Sequence, residues 1–382
     1  MTTPSTTVVW DPRFLDYDFG GDHPFAESSR GLAVSLVEST LAADEQTTFE
    51  WVRSVEPSSR AELERFHEPP FLDFVERAGT VDEPMYLDAG DTPSFPGCFV
   101  ASARIAAGAL AALRRTTATG RPAVHPGGGL HHAAPDHASG FCIFNDVALA
   151  IAEALETGRK VAYIDIDAHH GDGVMYGFYE SGKVLDIDFH QDGRTLFPGT
   201  GYATECGRGD GHGLKVNVPL IPTAGDEAIL PIFRRIVPPL IEEFRPDVIV
   251  LQHGVDGHYG DPLTRLQYTP VAYAEVDRLV LELANRCAGG HVLVAGGGGY
   301  RPESVSRVLA RATRIFGRLP VPDDERPVPE DWRLKFFDAT EAEAPKSWAE
   351  TPAVVPTRWR PELEAGLISE LESVLGRKFP KP

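Results

Sequence analysis

Five short apolar runs, interleaved with stretches of helical periodicity, constrain the fold of this chain more than any other feature. The runs are Ala123–Val124, Val161–Asp165, Val184–Phe189, Val248–Gln252 and His291–Ala295. They are near-continuous apolar runs rich in β-branched residues, so the sheet they form is expected to be covered on both sides. Helices are predicted near 98–117, 145–157, 226–243, 270–286 and 302–316. Strands alternating with helices in this way imply an α/β fold with a central parallel sheet and helices on both faces. No internal repeat or linker interrupts the series, so residues 1–320 read as a single domain. The segment 321–382 is rich in proline and acidic residues before a predicted helix near 361–376, and is expected to pack on the same domain. In open α/β sheets ligands bind beyond the carboxyl ends of the strands. The polar residues of interest fall there.

Composition narrows the functional classes. The formal charge is −20, from 36 basic and 56 acidic residues. Such a field repels phosphates, which argues against direct nucleic-acid binding. It serves solubility, or it steers cationic substrates such as lysine-bearing peptides or polyamines. No run of about 18 apolar residues exists to span a membrane. The opening Met1-Thr-Thr-Pro-Ser lacks the basic and apolar regions of a secretory signal, so a cytoplasmic location is expected. Cys98, Cys142, Cys206 and Cys287 lie far apart with no CxxC pair, which argues for reduced thiols and against a cysteine metal site.

The segment Asp165-Ile-Asp167-Ala-His169-His170-Gly-Asp172-Gly leaves one of the predicted strands. In extended chain, residues two apart face the same way, so Asp165, Asp167 and His169 converge. Asp167 and His169 offer an oxygen and a nitrogen to one metal ion. A catalytic site needs a third protein ligand and an open position for water. Asp256, just beyond the strand that ends at Gln252, is the candidate. The tandem His131-His132 lies in the loop Gly127-Gly-Gly-Leu-His-His-Ala133. Asp165 and Asp172 are spare carboxylates able to orient those imidazoles, giving a general base and a general acid for amide hydrolysis. A third element, Ala295-Gly-Gly-Gly-Gly299-Tyr300, turns tightly after a strand and aims a phenol inward, where it can donate to a developing oxyanion. The competing dinucleotide loop lacks the GxGxxG spacing.

Taken together these pieces resemble the histone deacetylase family over about residues 10–315. The carrying segments are Asp91-Thr-Pro93, Leu130-His-His-Ala133, Ser139-Gly-Phe-Cys-Ile-Phe-Asn145, Asp165 through Gly173, Leu196-Phe-Pro-Gly-Thr-Gly201, Gln252 through Pro262, and Gly296 through Tyr300. Within the family the wording is similar to that of class I enzymes and bacterial acetoin-utilisation-type deacetylases. The resemblance implies an arginase/deacetylase fold with Zn²⁺ on Asp167, His169 and Asp256, a site that can also accept Fe²⁺ or Co²⁺. It implies His132 with Asp172 as general base and acid, His131 with Asp165 as electrostatic partner, and Tyr300 as oxyanion donor. Phe141 and Phe197 match aromatic walls for an acyl-lysine chain, Asp91 a rim carboxylate for substrate amides, and Gly140 a carbonyl contact in the channel. A structural K⁺ is implied near Asp165, Asp167, His169, Asp188 and Phe189, mostly through main-chain oxygens. The implied substrate is acetyl-lysine on a protein, such as an acyl-CoA synthetase, with an acetylpolyamine or small acylated metabolite as runner-up.

The chain departs from the family pattern at three places. Leu130 replaces the usual glycine or tryptophan before the histidine pair, and Asp188 stands where a small hydroxyl residue is usual. In the segment His23-Pro-Phe-Ala-Glu-Ser-Ser29-Arg30 the arginine falls one position late. Two other readings compete. A binuclear-manganese arginase shares the fold, but Gly171, Gly254 and His258 occupy positions where carboxylates would be needed for a second metal. A non-catalytic acyl-binding module would not require every ligand, both histidine–aspartate pairs and Tyr300.

Overall fold

Along Val161–Asp165, Ala162 and Ile164 enter one layer of the core while Val161 and Tyr163 enter another. That is the two-residue period of a strand buried on both faces. The same split recurs for Ile249 and Leu251 against Val248 and Val250, and for Val292 and Val294 against Leu293 and Ala295. In the computed structural model, which describes residues 5–21, 23–42, 45–81, 83–350 and 357–380, eight strands form one sheet. They are β1 Thr6–Val9, β2 Phe49–Val52, β3 Ala123–His125, β4 Val161–Asp165, β5 Val184–Gln191, β6 Lys215–Leu220, β7 Val248–Gln252 and β8 Val292–Ala295. Their spatial order is β2-β1-β3-β8-β7-β4-β5-β6, and every pairing is parallel.

The helices in chain order are α1 Ser28–Thr40, α2 Arg60–Leu63, α3 Pro69–Ala78, α4 Cys98–Thr119, α5 Asp146–Glu156 and α6 Asp172–Gly177. They continue with α7 Asp226–Phe244, α8 Pro270–Cys287, α9 Pro302–Phe316, α10 Glu330–Thr340 and α11 Pro361–Val374. Residues of α7 and α8 pack on one face of the sheet, and residues of α4 and α5 on the other. None of the described helices is long and apolar enough to cross a membrane.

Three strands escaped the apolar-run criterion. β1 and β2 are only four residues long, and β6 carries Lys215, Asn217 and Pro219 among its apolar residues. Lys215 is nonetheless buried, because its ammonium donates to the carbonyl of Val184 at 2.8 Å. A buried cation held this way does not expel its strand from the sheet. The tail joins the core at two points. Trp332, Phe336 and Trp348 pack with Val8, Leu32 and Phe49, and Ile368 and Leu371 of α11 join the layer that contains α7.

Register is what prepares the site. Asp165 pairs with Gln252, Gln252 with Ala295, and Ala295 with His125. The four central strands β3, β8, β7 and β4 therefore end level with one another. The loops that leave them carry His131 and His132, Tyr300, Asp256, and Asp167 with His169.

Candidate active site

The loop after β4 is folded by its own carboxylates. Asp165 Oδ1 accepts the amide of Asp167 at 2.9 Å, and Asp167 Oδ1 accepts the amide of His169 at 3.0 Å. This places Asp167 and His169 on one side, buried, where Asp256 reaches them from the loop after β7. His169 Nδ1 lies 2.8 Å from Asp256 Oδ2 and 3.2 Å from Asp167 Oδ1. Among the described residues, Asp167, His169 and Asp256 form the one group with metal-ligand spacing, their candidate donor atoms all within 4.8 Å of one another.

Two glycines make room for that group. A Cβ at Gly254 would come within 2.1 Å of Asp167 Oδ2, and one at Gly298 within 2.1 Å of Asp256 Oδ2. Backbone supplies further order, with the Gly298 amide donating to Asp167 Oδ2 at 2.7 Å and the Ala168 amide to Asp256 Oδ1 at 2.7 Å. Two buried carboxylates this close repel each other unless a cation lies between them. An imidazole and two oxygens fit a zinc-type ion, with room for further ligands.

The histidine pair stands beside this group. His131 Nδ1 lies 2.9 Å from Asp165 Oδ2, His132 Nδ1 lies 2.7 Å from Asp172 Oδ1, and the two Nε2 atoms approach to 3.1 Å. Burial, and then the neighbouring His131, hold the His132 imidazole below its ordinary pKa, although Asp172 pulls the other way. Burial alone would raise the Asp172 carboxyl; the charge and hydrogen bond of His132 bring it below the usual carboxylate value. Burial and then the nearby Asp256 and Asp167 push the Tyr300 phenol well above 10, so it keeps its proton. The Tyr300 ring meets those of His169 and Phe141 edge-on, at centroid distances of 6.4 and 6.0 Å.

A narrow cavity of about 220 Å³ leads to these groups, lined by Phe141, Phe197, Leu196 and Leu263 with Gly140 and Asp91. Phe141 has a φ of 67°, a left-handed conformation costly for a bulky side chain. Tyr17 over-determines it, its hydroxyl donating to the Phe141 carbonyl at 2.7 Å and accepting the Ile143 amide at 3.1 Å. Thr92 Oγ1 accepts the Phe141 amide at 3.0 Å, which couples this wall to the Asp91 turn. Burial, and then Asp88, raise the Asp91 carboxyl to about 6. Leu130 and Cys142 line a smaller inner space behind His131 and Tyr300.

Several residues that order the site had no role in the sequence reading. Asn145 caps α5 through the Ala148 amide at 2.8 Å, and its Nδ2 donates to the carbonyls of His131 and Ala133 at 3.0 and 2.9 Å. Asp146 accepts the amides of Gly129 and Leu130 at 3.1 and 2.7 Å, and Gln252 Nε2 donates to Gly129 O at 2.8 Å. An Asn-Asp pair at a predicted helix start was the available signal, but it reads as a cap and nothing more. Arg30, whose shifted position left its role open, is buried and donates to the carbonyl of Gly297, inside the glycine run. The Asp188 side chain faces His190 Nδ1 at 2.6 Å and accepts the Gly171 amide at 2.7 Å. β4 and β5 bring Asp165 opposite Asp188, next to Phe189.

A parallel sheet whose central strands present a carboxylate–imidazole–carboxylate group, two histidine–aspartate pairs and a tyrosine at one edge defines a deacetylase-type amidohydrolase. The histone deacetylase domain matches residues 23–316, and the chain belongs to that family of metal-dependent hydrolases. The acetoin utilization protein AcuC of Bacillus subtilis (strain 168) is 35% identical over 360 residues, covering 92% of this chain and 91% of that protein. The AcuC protein of Staphylococcus xylosus is 34% identical over 358 residues, covering 91% of each chain. The crystal structure of the HDA15 HD domain matches with a TM-score of 0.76 at 24% identity, covering 98% of this chain and 99% of that one.

Proposed function

We propose that the protein hydrolyses the N-acetyl amide of acetyl-lysine on a protein, using Asp167, His169 and Asp256 to hold one Zn²⁺ and His132, His131, Tyr300, Asp165 and Asp172 as its catalytic groups. One observation carries this reading: both histidine–aspartate pairs and Tyr300 surround the ligand group at the foot of a channel wide enough for an alkyl chain. A cavity of about 220 Å³ with apolar walls suits the methylenes of a lysine better than a bulky ligand. Asp91 at its mouth would accept backbone amides of the substrate, and Gly140 would line the passage.

When bound, the metal supplies Lewis-acid polarisation of the scissile carbonyl and of the attacking water. His132 Nε2 takes a proton from that water as its oxygen bonds to the carbonyl carbon. It then delivers a proton to the lysine nitrogen as the C–N bond breaks, leaving acetate and a free amine. Tyr300 donates its O–H to the carbonyl oxygen while charge builds there, and His131 with Asp165 balances charge beside His132. A K⁺ held by main-chain oxygens of Asp165, Asp167, His169, Asp188 and Phe189 would brace the loop after β4. The tail 321–382 is part of this catalytic domain in the same reading.

Assaying the purified protein against acetyl-lysine peptides, acetylpolyamines and longer acyl amides tests the substrate. A clear preference for acetylpolyamines would replace the lead. Metal analysis is expected to find one divalent ion per chain, lost in Asp256→Ala and His169→Ala. Two equivalents of manganese would instead revive the arginase reading.

Asp91 sets a pH dependence. Its carboxyl is raised to about 6, so the accepting, ionised form is present above that pH and is lost as pH falls through it. KM for an acetyl-lysine peptide is therefore expected to rise below about pH 6. Asp91→Asn should show a high KM that no longer changes in that range. A wild-type KM that stays flat across it would remove Asp91 from substrate binding.

A further inference from the structure

The loop between β7 and α8 carries Asp256 and, five residues on, Asp261, whose Oδ2 accepts the backbone amide of Tyr300 at 2.9 Å. It thus braces both the ligand group and the turn that presents the phenol. The hub of this loop is His258. Its amide donates to Val255 O at 3.0 Å, its carbonyl accepts the Asp261 amide at 2.9 Å, and its Nδ1 accepts the Gly260 amide at 3.1 Å. The ring is buried against Tyr259, with centroids 4.2 Å apart.

What faces the other ring nitrogen comes from the far end of the chain. Glu350 Oε2 lies 2.6 Å from His258 Nε2, with the two side chains 2% and 1% exposed. The Tyr259 hydroxyl donates to the same oxygen at 3.5 Å, and Arg307 of α9 lies 3.3 Å from Oε1. α9 stitches the rest of the segment down: Arg307 donates to the carbonyls of Ser347 and Ala349 at 3.3 and 2.7 Å, and Arg311 to that of Trp348 at 2.9 Å. A glutamate this deeply buried, placed on a histidine two residues from a ligand aspartate, exceeds what attaching a tail requires. The buried side chains of Trp332, Phe336 and Trp348 already do that.

We propose that Glu350 is a positioning residue for the hydrolysis, acting through His258 to hold the 256–261 loop, and with it Asp256 and the Tyr300 backbone, in register. The inference rests on the proposed function for its activity and zinc-release arms, and loop exchange in the metal-free protein does not. Glu350→Gln keeps the shape and removes the charge, leaving His258 facing a neutral amide. Groups bonded directly to a metal's ligands typically change activity or metal affinity by about 10–100-fold when replaced; Glu350 stands one contact further out, and a fall in kcat of about 10-fold, with KM little changed, is expected. Release of bound Zn²⁺ to a chromogenic chelator should accelerate, and amide hydrogen exchange across 256–261 should quicken in the metal-free protein. His258→Asn should reproduce these changes, and the double variant should add little to either single one. Glu350→Asp, which restores the charge, should recover part of the kcat.

A lowered Tm with unchanged kcat, zinc release and loop exchange would reduce Glu350 to a structural contact and overturn the proposal. Additive effects of the two substitutions would overturn the route through His258. Should the wild type turn over no acyl amide or bind no zinc, the proposed function fails, and exchange across 256–261 in the metal-free protein still decides the positioning role.

Discussion

His132→Ala is expected to lower kcat by about 10²–10⁴-fold, the range typical of a lost general acid–base group, while one metal equivalent stays bound. The reason lies in how the pair is arranged. With both Nδ1 atoms turned to carboxylates, the Nε2 atoms of His131 and His132 face each other at 3.1 Å. Only His132 also lines the substrate channel, together with Phe141, Phe197 and Tyr300. Its proton can therefore reach both the water and the leaving nitrogen. His131 lies deeper, against Asp165, and His131→Ala removes charge balance without removing the proton carrier. The smaller loss is expected there. Exogenous imidazole should partly restore His132→Ala and leave His131→Ala unchanged. Measuring kcat for both variants across pH checks the assignment, and a larger loss in His131→Ala at every pH would reverse it.

Tyr300→Phe is expected to cost about 10²–10³ in kcat with metal content and secondary structure retained. The phenol is held protonated by burial and by the aspartates around it, so it is a donor throughout the working pH range. Its placement does not depend on the hydroxyl. The backbone amide is anchored to Asp261, and the ring is framed by Phe141 and His169. Phenylalanine should occupy the same space, and the loss should fall on kcat with little change in KM. A near-normal kcat would mean that the bound metal alone polarises the carbonyl.

Six of the helices from α4 onward were legible within a few residues, among them 98–117, which became Cys98–Thr119, and 270–286, which became Pro270–Cys287. α1 was not, since apolar residues lie on several of its sides: Leu36 and Val37 pack between sheet and tail, while Val34 joins a different layer with Val9 and Phe14. β6 was hidden by Lys215 and Asn217, polar residues whose partners are carbonyls of distant segments. The same holds around the site. The proposed ligand pair Asp167 and His169 is local, two residues apart on one loop, and could be read directly. The pinning of Gly297 by Arg30 and the contact of Glu350 with His258 bridge hundreds and tens of residues, and no local pattern encodes them.

The spacing of the motifs pointed by itself to one strand end that offers an oxygen and a nitrogen to a metal, but not for the reason of extended-chain alternation: 167–169 form a bend closed by the carboxylates of Asp165 and Asp167, and Asp165 turns away to His131. It also determined that the core sheet would be buried on both faces. Only the tertiary structure decided that β3, β8, β7 and β4 lie side by side in level register, and so which carboxylate meets which histidine. Strand order depends on how helices of the whole chain share the two faces of the sheet. That is a property of long-range packing, and side-chain periodicity within any single segment carries no record of it.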